Sequence, residues 1–296
     1  MSQSRWIKCI STVGNIRGVA IQATDLVRDT ARLHGTQGEG ARGLGESLIG
    51  ALLLSSYCKM GERVNLNIQG SGFIRQALVD AYPDGAVRGY VIERPPEQQP
   101  ERNPAHEGPW GAGLLSVLKT KTSEEHKQPY IGTVPLLTGH LAKDLTFYWA
   151  QSEQVPSAVG LIVNLDDQGE VTAAGGFLIQ ALPGASPAEV LMIEEHINHI
   201  ALAEQFANES NPLHLLSTIF QSTAFIIVEE KPLVFRCSCS WERVERALML
   251  VGPAELQAML AQDHNAIVRC DFCTKEYQID AAGLQRLIDV TTGKKS

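Results

Sequence analysis

The sequence predicts an α+β protein in three parts: an N-terminal domain of mixed sheet and helices (1–183), an amphipathic helical connector (184–236) and a small C-terminal domain carrying four cysteines (237–296). Three observations predict this. Short β-rich segments separated by Gly, Pro and Asp-Gly turns fill the first half. An apolar stripe at helical spacing follows residue 186. Four of the 6 cysteines then crowd into the tail.

Residues 6–23 mix β-branched and polar side chains and read as two strands turned at Val13-Gly14-Asn15. A glycine-rich loop comes next, and residues 44–57, apolar on every side, read as a buried helix. Residues 64–69, 77–81, 87–92, 113–120 and 133–137 read as strands of a mostly antiparallel sheet. Between them, residues 93–109 are rich in proline and read as an exposed excursion. Residues 158–165 and 176–182 form a hairpin across Asp166-Asp167-Gln168-Gly169, closing the first domain.

The connector begins at Ser186-Pro187-Ala188-Glu189, which has the form of a helix start: a Ser N-cap, Pro at the first helical position and Glu at the third. Val190, Ile193, Ile197 and Ile200 recur on one face of that helix and must be covered by something. Asn211-Pro212 opens a second helix over 214–221, and 225–228 reads as a strand leading to the cysteines. In the tail, residues 241–251 and 253–262 read as helices, and 267–279 as a hairpin with a cysteine pair at its tip.

Composition removes several classes of function. Hydrophobic residues make up 44% and charged residues 20%, as in ordinary globular proteins. No run of about 18 apolar residues is present, so a transmembrane helix is excluded. The start MSQSRWIKC has no apolar signal core, which predicts a cytosolic chain and reduced thiols. Net charge is -8, and on neither side of residue 236 do basic residues outnumber acidic ones. A nucleic-acid partner is therefore not expected.

Cys237-Ser238-Cys239 and Cys270-Asp271-Phe272-Cys273 are two chelating pairs. Zn2+ favours four tetrahedral N or S ligands, and a close pair already meets much of the entropic cost of assembling them. A domain of about sixty residues with few large apolar groups is marginal without such a metal, so zinc is expected to contribute to its folding energy. Four thiolates around one dication leave a formal charge of about -2, which Arg236, Arg243, Arg246, Arg269 and Lys275 lie close enough in sequence to offset. Two uses fit the spacing. One is a permanent structural knot, in a constitutive binding or regulatory protein, with a nucleic-acid contact module as one form of it. The other is a redox switch, because zinc keeps thiols as oxidisable thiolates and disulfide formation removes the ligands together. A bridge within C-x-C is strained and easily reduced, which suits reversibility.

The cysteine pattern, with Ser240, Glu242-Arg243 and Ala247-Leu248 after the first pair, resembles the heat shock protein 33 family of redox-regulated chaperones. The runs SEQVPS at 152–157, AGGFLIQ at 174–180, LPGA at 182–185 and RGYV at 88–91 extend the resemblance along the chain. It implies a bacterial, cytoplasmic, ATP-independent holdase without enzymatic activity, quiescent and monomeric while reduced with one Zn2+ on Cys237, Cys239, Cys270 and Cys273. Oxidation then pairs Cys237 with Cys239 and Cys270 with Cys273, expels zinc, unfolds the connector and gives a dimer that holds unfolding clients until ATP-driven chaperones receive them. The apolar stripe Val190, Ile193, Ile197 and Ile200 is the expected client-binding surface.

Other signals were set aside. Gly38-Glu39-Gly40-Ala41-Arg42-Gly43 spells a dinucleotide fingerprint, but no apolar strand precedes it. His196 and His199, with no third ligand nearby, read as solvated or helix-capping groups. Cys9 and Cys58 read as core cysteines.

Overall fold

A computed structural model describes residues 4–99, 106, 108–121, 129–208, 211–221 and 223–292. The chain divides into two compact units, residues 1–236 and 237–296, so the connector's elements belong to the first.

The first unit contains two sheets. One has the order β10-β1-β2-β9-β8 and is antiparallel throughout, from β1 (Arg5–Ser11), β2 (Ile16–Gln22), β8 (Ser157–Leu165), β9 (Val171–Ala181) and β10 (Phe225–Pro232). The other has the order β11-β5-β4-β3-β6-β7, from β3 (Glu62–Gly70), β4 (Ile74–Ala81), β5 (Ala86–Glu93), β6 (Gly113–Lys121), β7 (Tyr130–Leu136) and the two-residue β11 (Val234–Phe235). The β11–β5 pairing is parallel, an exception to the predicted antiparallel pattern. Part of the predicted excursion at 93–109 lies outside the described residues; Pro96–Gln98 forms a short 3-10 turn.

The helix α2 (Gly38–Ser55) packs on strands of both sheets, and Leu44, Leu48, Ile49, Leu52 and Leu53 are fully buried in one core with Trp6, Val64, Leu66 and Leu178. This explains its all-round apolar character. The predicted glycine-rich loop is corrected: 38–43 is the first turn and a half of this helix. Its glycines are required by packing, because a Cβ at Gly43 would collide with Ile74, and one at Gly45 would lie 2.6 Å from Val27.

Four helices went unassigned in the sequence, one of them the seven-residue helix Leu202–Asn208. In α1 (Thr24–His34) the buried face is Thr24, Leu26, Val27, Thr30 and Ala31, too polar to register as an apolar stripe. The short α3 (Leu141–Tyr148) buries Leu141, Leu145 and Tyr148, and its buried Asp144 accepts from the backbone of Leu137 and Thr138, each at 3.0 Å. The last, α9 (Ala281–Thr291), belongs to the second unit.

The five-stranded sheet has helices on both faces. Trp6, Val19 and Leu178 face the α2 core, while the alternate residues Ile7, Ala20 and Phe177 face α4 (Pro187–Asn198), α5 (Leu202–Asn208) and α6 (Pro212–Phe220). Ile193 is 2% exposed in that second core, with Val190, Ile197 and Ile200 packed partly buried against it. The stripe read from the sequence therefore packs in one cluster with Ile16, Phe177 and Ile179 of the sheet and Leu216 and Ile219 of α6, although Ile200, expected on the same helix face, lies beyond the end of α4. Ser186 does occupy the N-cap of α4, but its hydroxyl makes no capping hydrogen bond, leaving Pro187 to fix the start. Asn211 does cap α6, accepting from the Leu213 amide at 3.0 Å. No helix among the described residues is long and apolar enough to cross a membrane.

Burial against α2's neighbours pushes the Glu46 carboxyl up to about 7, despite nearby Arg42. The folded state therefore holds this proton up to pH about 7, whereas the unfolded chain releases it near 4.5. Stability is lost as pH rises through that window and the penalty is complete above it. Glu46→Gln is expected to raise the melting temperature at pH 8, by the equivalent of about 1–3 kcal/mol, and to change it much less at pH 5, as calorimetry would show.

Candidate metal centre

The second unit is built from α7 (Trp241–Val251), α8 (Pro253–Gln262), β12 (Asn265–Arg269), β13 (Glu276–Asp280) and α9. Its core is small: Val244, Leu248, Leu256, Tyr277, Ile279, Leu284, Leu287 and Ile288. Ser240 caps α7 by accepting from the Arg243 amide at 3.4 Å, which ends the extended Cys237-Ser238-Cys239 segment immediately before the helix. The second pair sits on the predicted hairpin tip. β12 and β13 pair antiparallel as far as Arg269 opposite Glu276. The turn beyond is closed by Cys270 N donating to Lys275 O at 2.9 Å and Thr274 N donating to Cys270 O at 2.8 Å. Thr274 takes the left-handed conformation, with φ at 59°.

These two local structures bring all four predicted cysteines together. Their Sγ atoms lie within 4.8 Å of one another, and among the described residues this is the one group of three or more Cys, His, Asp or Glu gathered so closely. The Cys237 and Cys270 sulfurs are 3.8 Å apart, and those of Cys239 and Cys273 are 3.4 Å apart. A tetrahedron with Zn–S bonds of about 2.3 Å has sulfur–sulfur edges of about 3.8 Å. The quartet fits that ion, and its separations are far beyond a disulfide bond of about 2.05 Å.

Tyr277 was given no role in the sequence, yet its hydroxyl donates to Cys239 Sγ at 3.2 Å. Trp241 packs on the Tyr277 ring at 5.6 Å between centroids, and Lys275 Nζ lies 4.9 Å over that ring. Tyr277 is four residues beyond Cys273, on the inward face of the hairpin, and that alternation was the available signal. Arg243 donates to Ser238 Oγ at 2.8 Å, between the first two ligands, whereas Arg236 pairs with Asp84 at 2.7 Å.

The thiols differ in acidity. Burial opposes ionisation of Cys239, but hydrogen bonds from Tyr277 and the neighbouring thiols outweigh it and bring the group down to about 7. Burial pushes Cys270 up, and pushes Cys273 up to about 12. One thiolate is thus stabilised by donors, while a full set of four calls for a cation among them. The buried Cys9 thiol, also pushed up to about 12, stands apart from this chemistry.

A family profile described as Hsp33 protein matches residues 4–280. The chain belongs to the Hsp33 family. Relatives named 33 kDa chaperonin are 38% identical in Pelobacter propionicus, over 97% of this chain and 94% of that one, and 33% identical in Shouchella clausii, over 98% of each. The crystal structure of the 33 kDa chaperonin (heat shock protein 33 homolog) of Thermotoga maritima superposes with a TM-score of 0.86 at 27% identity, covering 99% of this chain and 100% of that one.

A hydrogen-bonding partner outside the ligand set typically changes metal affinity by about 10–100-fold. Tyr277→Phe is expected to weaken zinc retention by about tenfold in competition with a chromophoric chelator under reducing conditions, with the fold retained.

Proposed function

We propose that this chain is an ATP-independent holdase chaperone of the bacterial cytoplasm, without enzymatic activity, gated by the oxidation state of Cys237, Cys239, Cys270 and Cys273. The observation that carries the reading is the gathering of these four sulfurs in a unit whose own apolar core is small. Family membership supports it, through relatives named chaperonins.

In the reduced state the four sulfurs hold Zn2+, which keeps them as thiolates and contributes its binding energy to the folding of residues 237–296. Oxidation by peroxide converts two thiolates to one disulfide, the two electrons going to H2O2, which takes two protons from solvent and leaves as two waters. Two such steps consume the quartet. The pairing within each motif, Cys237 with Cys239 and Cys270 with Cys273, is favoured because these partners stay close even when the unit opens. Oxidised sulfurs are no longer thiolate ligands, and the small core is then insufficient to keep the unit folded.

The connector is the second half of the gate. β11 pairs through Val234 with Ala86 and Phe235 with Val87, Arg236 N donates to Val87 O at 3.0 Å, and the next residue is Cys237. Disorder beginning at Cys237 therefore meets a two-residue strand with little to resist it. Loosening of the connector would uncover Val190, Ile193, Ile197 and Ile200 together with the sheet face beneath them, an apolar surface for unfolding clients. Dimerisation of the oxidised form, and return of clients through ATP-driven chaperones after reduction, complete the proposed cycle.

Peroxide with mild heat is expected to release about one zinc per chain and to yield protein that suppresses light scattering by an aggregating client. Retained zinc, or release without protection, contradicts the reading and leaves the permanent structural knot. Ile197→Asp is expected to loosen the connector and raise client protection by the unoxidised protein. Unchanged low protection would exclude masking of this stripe.

A further inference from the structure

Between the connector helices and the first cysteine the chain runs through β10, an edge strand paired only with β1 among the described residues. Apolar burial does little to hold it. Ile226, Ile227 and Val228 are 48–55% exposed, and of its eight residues Phe225, Glu229 and Lys231 alone are partly buried. Phe225 meets Phe220 of α6 at 5.1 Å between ring centroids, and the two inward positions that remain are charged. A bulge aims them. Cys9 pairs with Ile227 but Lys8 pairs with Glu229, so Val228 is an extra residue. Side chains alternate along a strand, and without the extra residue Glu229 would lie on the face of Cys9 rather than that of Trp6 and Lys8. There Glu229 Oε1 accepts from Trp6 Nε1 at 2.9 Å and from Lys8 Nζ at 2.8 Å, and Oε2 accepts from Lys231 Nζ at 3.3 Å. Lys231 Nζ also donates at 3.0 Å to the carbonyl of Pro83, in the turn between β4 and β5 of the other sheet. Trp6 is fully buried and Lys8 nearly so.

We propose that the Glu229 carboxylate is the lock that keeps β10, and the connector helices before it, on the first unit once the cysteine unit has come apart. Hydrogen bonds between charged groups are the strong kind, and this carboxylate gathers two of them together with a buried indole N–H. Unravelling that starts at Cys237 frees the two-residue β11 first and then meets this cluster. One carboxylate holds all three donors, so the cluster has to break as a unit. Zinc release and connector release are thereby separate steps, and mild heat drives the second. The consequence rests on the chaperone reading, but the lock belongs to the first unit and is measurable apart from it.

The test uses the full-length, zinc-loaded protein. In the reduced state, amide hydrogen exchange compares wild type with E229Q, which removes the negative charge, and with K8M/E229Q, which also removes the buried ammonium that E229Q leaves without a counter-charge. Amides of β10 are expected to exchange at least about tenfold faster in both variants, while α2 and β3 exchange as in wild type and zinc content is unchanged. Each protein is then treated with peroxide, with and without mild heat, and assayed for suppression of client aggregation. Wild type is expected to need the heat, and both variants to protect the client with peroxide alone. Exchange of β10 at the wild-type rate in E229Q overturns the proposal. So does a return to wild-type behaviour in K8M/E229Q, which would assign the effect to an unpaired Lys8. Variants that still need heat, or a wild type that protects without it, also overturn it. If E229Q does not fold, K231M decides by the same two measurements, with smaller shifts in the same direction, since it removes one donor and the tie to Pro83. A wild type that protects no client under peroxide and heat tells against the chaperone reading, and β10 exchange still decides the lock.

Discussion

Four sulfur atoms within 4.8 Å of one another are the constraint on which the second unit depends. Thiols do not crowd together to bury a polar surface, and thiolates repel. The arrangement of four thiolates is favourable only when something positive offsets the charge. Everything local serves that placement. Ser240 ends the first pair's segment by capping a helix, the left-handed Thr274 turns the second pair back, and Tyr277 spans from the hairpin to Cys239. On the proposed reading, an apolar core of eight buried side chains adds too little to make the quartet dispensable.

The first unit is built on the opposite principle. Its order comes from area: a helix buried on nearly every side between two sheets, with glycines where the backbones approach most closely. Such a core survives the loss of a peripheral element. The helices α4, α5 and α6 lie on the far face of the five-stranded sheet in a separate cluster, and that cluster is less completely covered than the central one. In the proposed cycle, a robust centre, a detachable cover and a metal-dependent tail are three levels of stability within one chain. On that reading the gradient would let one covalent event at the tail reach an apolar face without unfolding the whole molecule.

Much of this was legible in the residues because it rests on strong periodicity or spacing. Alternating strands announced the sheets, Pro187 and Asn211-Pro212 announced the helix starts, and the two cysteine pairs announced the cluster of four sulfurs. What escaped had a weak local signal. The buried face of α1 includes threonine and alanine, and the glycines of 38–43 look like a loop until Ile74 and Val27 are seen packed against them. Tyr277 gains meaning only from tertiary placement, by reaching a sulfur. Sequence spacing identifies ligands that are close along the chain and is blind to partners brought in by folding.

The central claim is that a metal gripped by these sulfurs orders the tail, and amide hydrogen exchange tests it most directly. Reduced protein is compared with the same protein stripped by a chelator, with no oxidant present. Protection is predicted to collapse across β12, β13 and the helices of residues 237–292, to weaken next in α4 and α6, and to persist in α2 and β3. Equal protection of the tail with and without zinc would contradict the account.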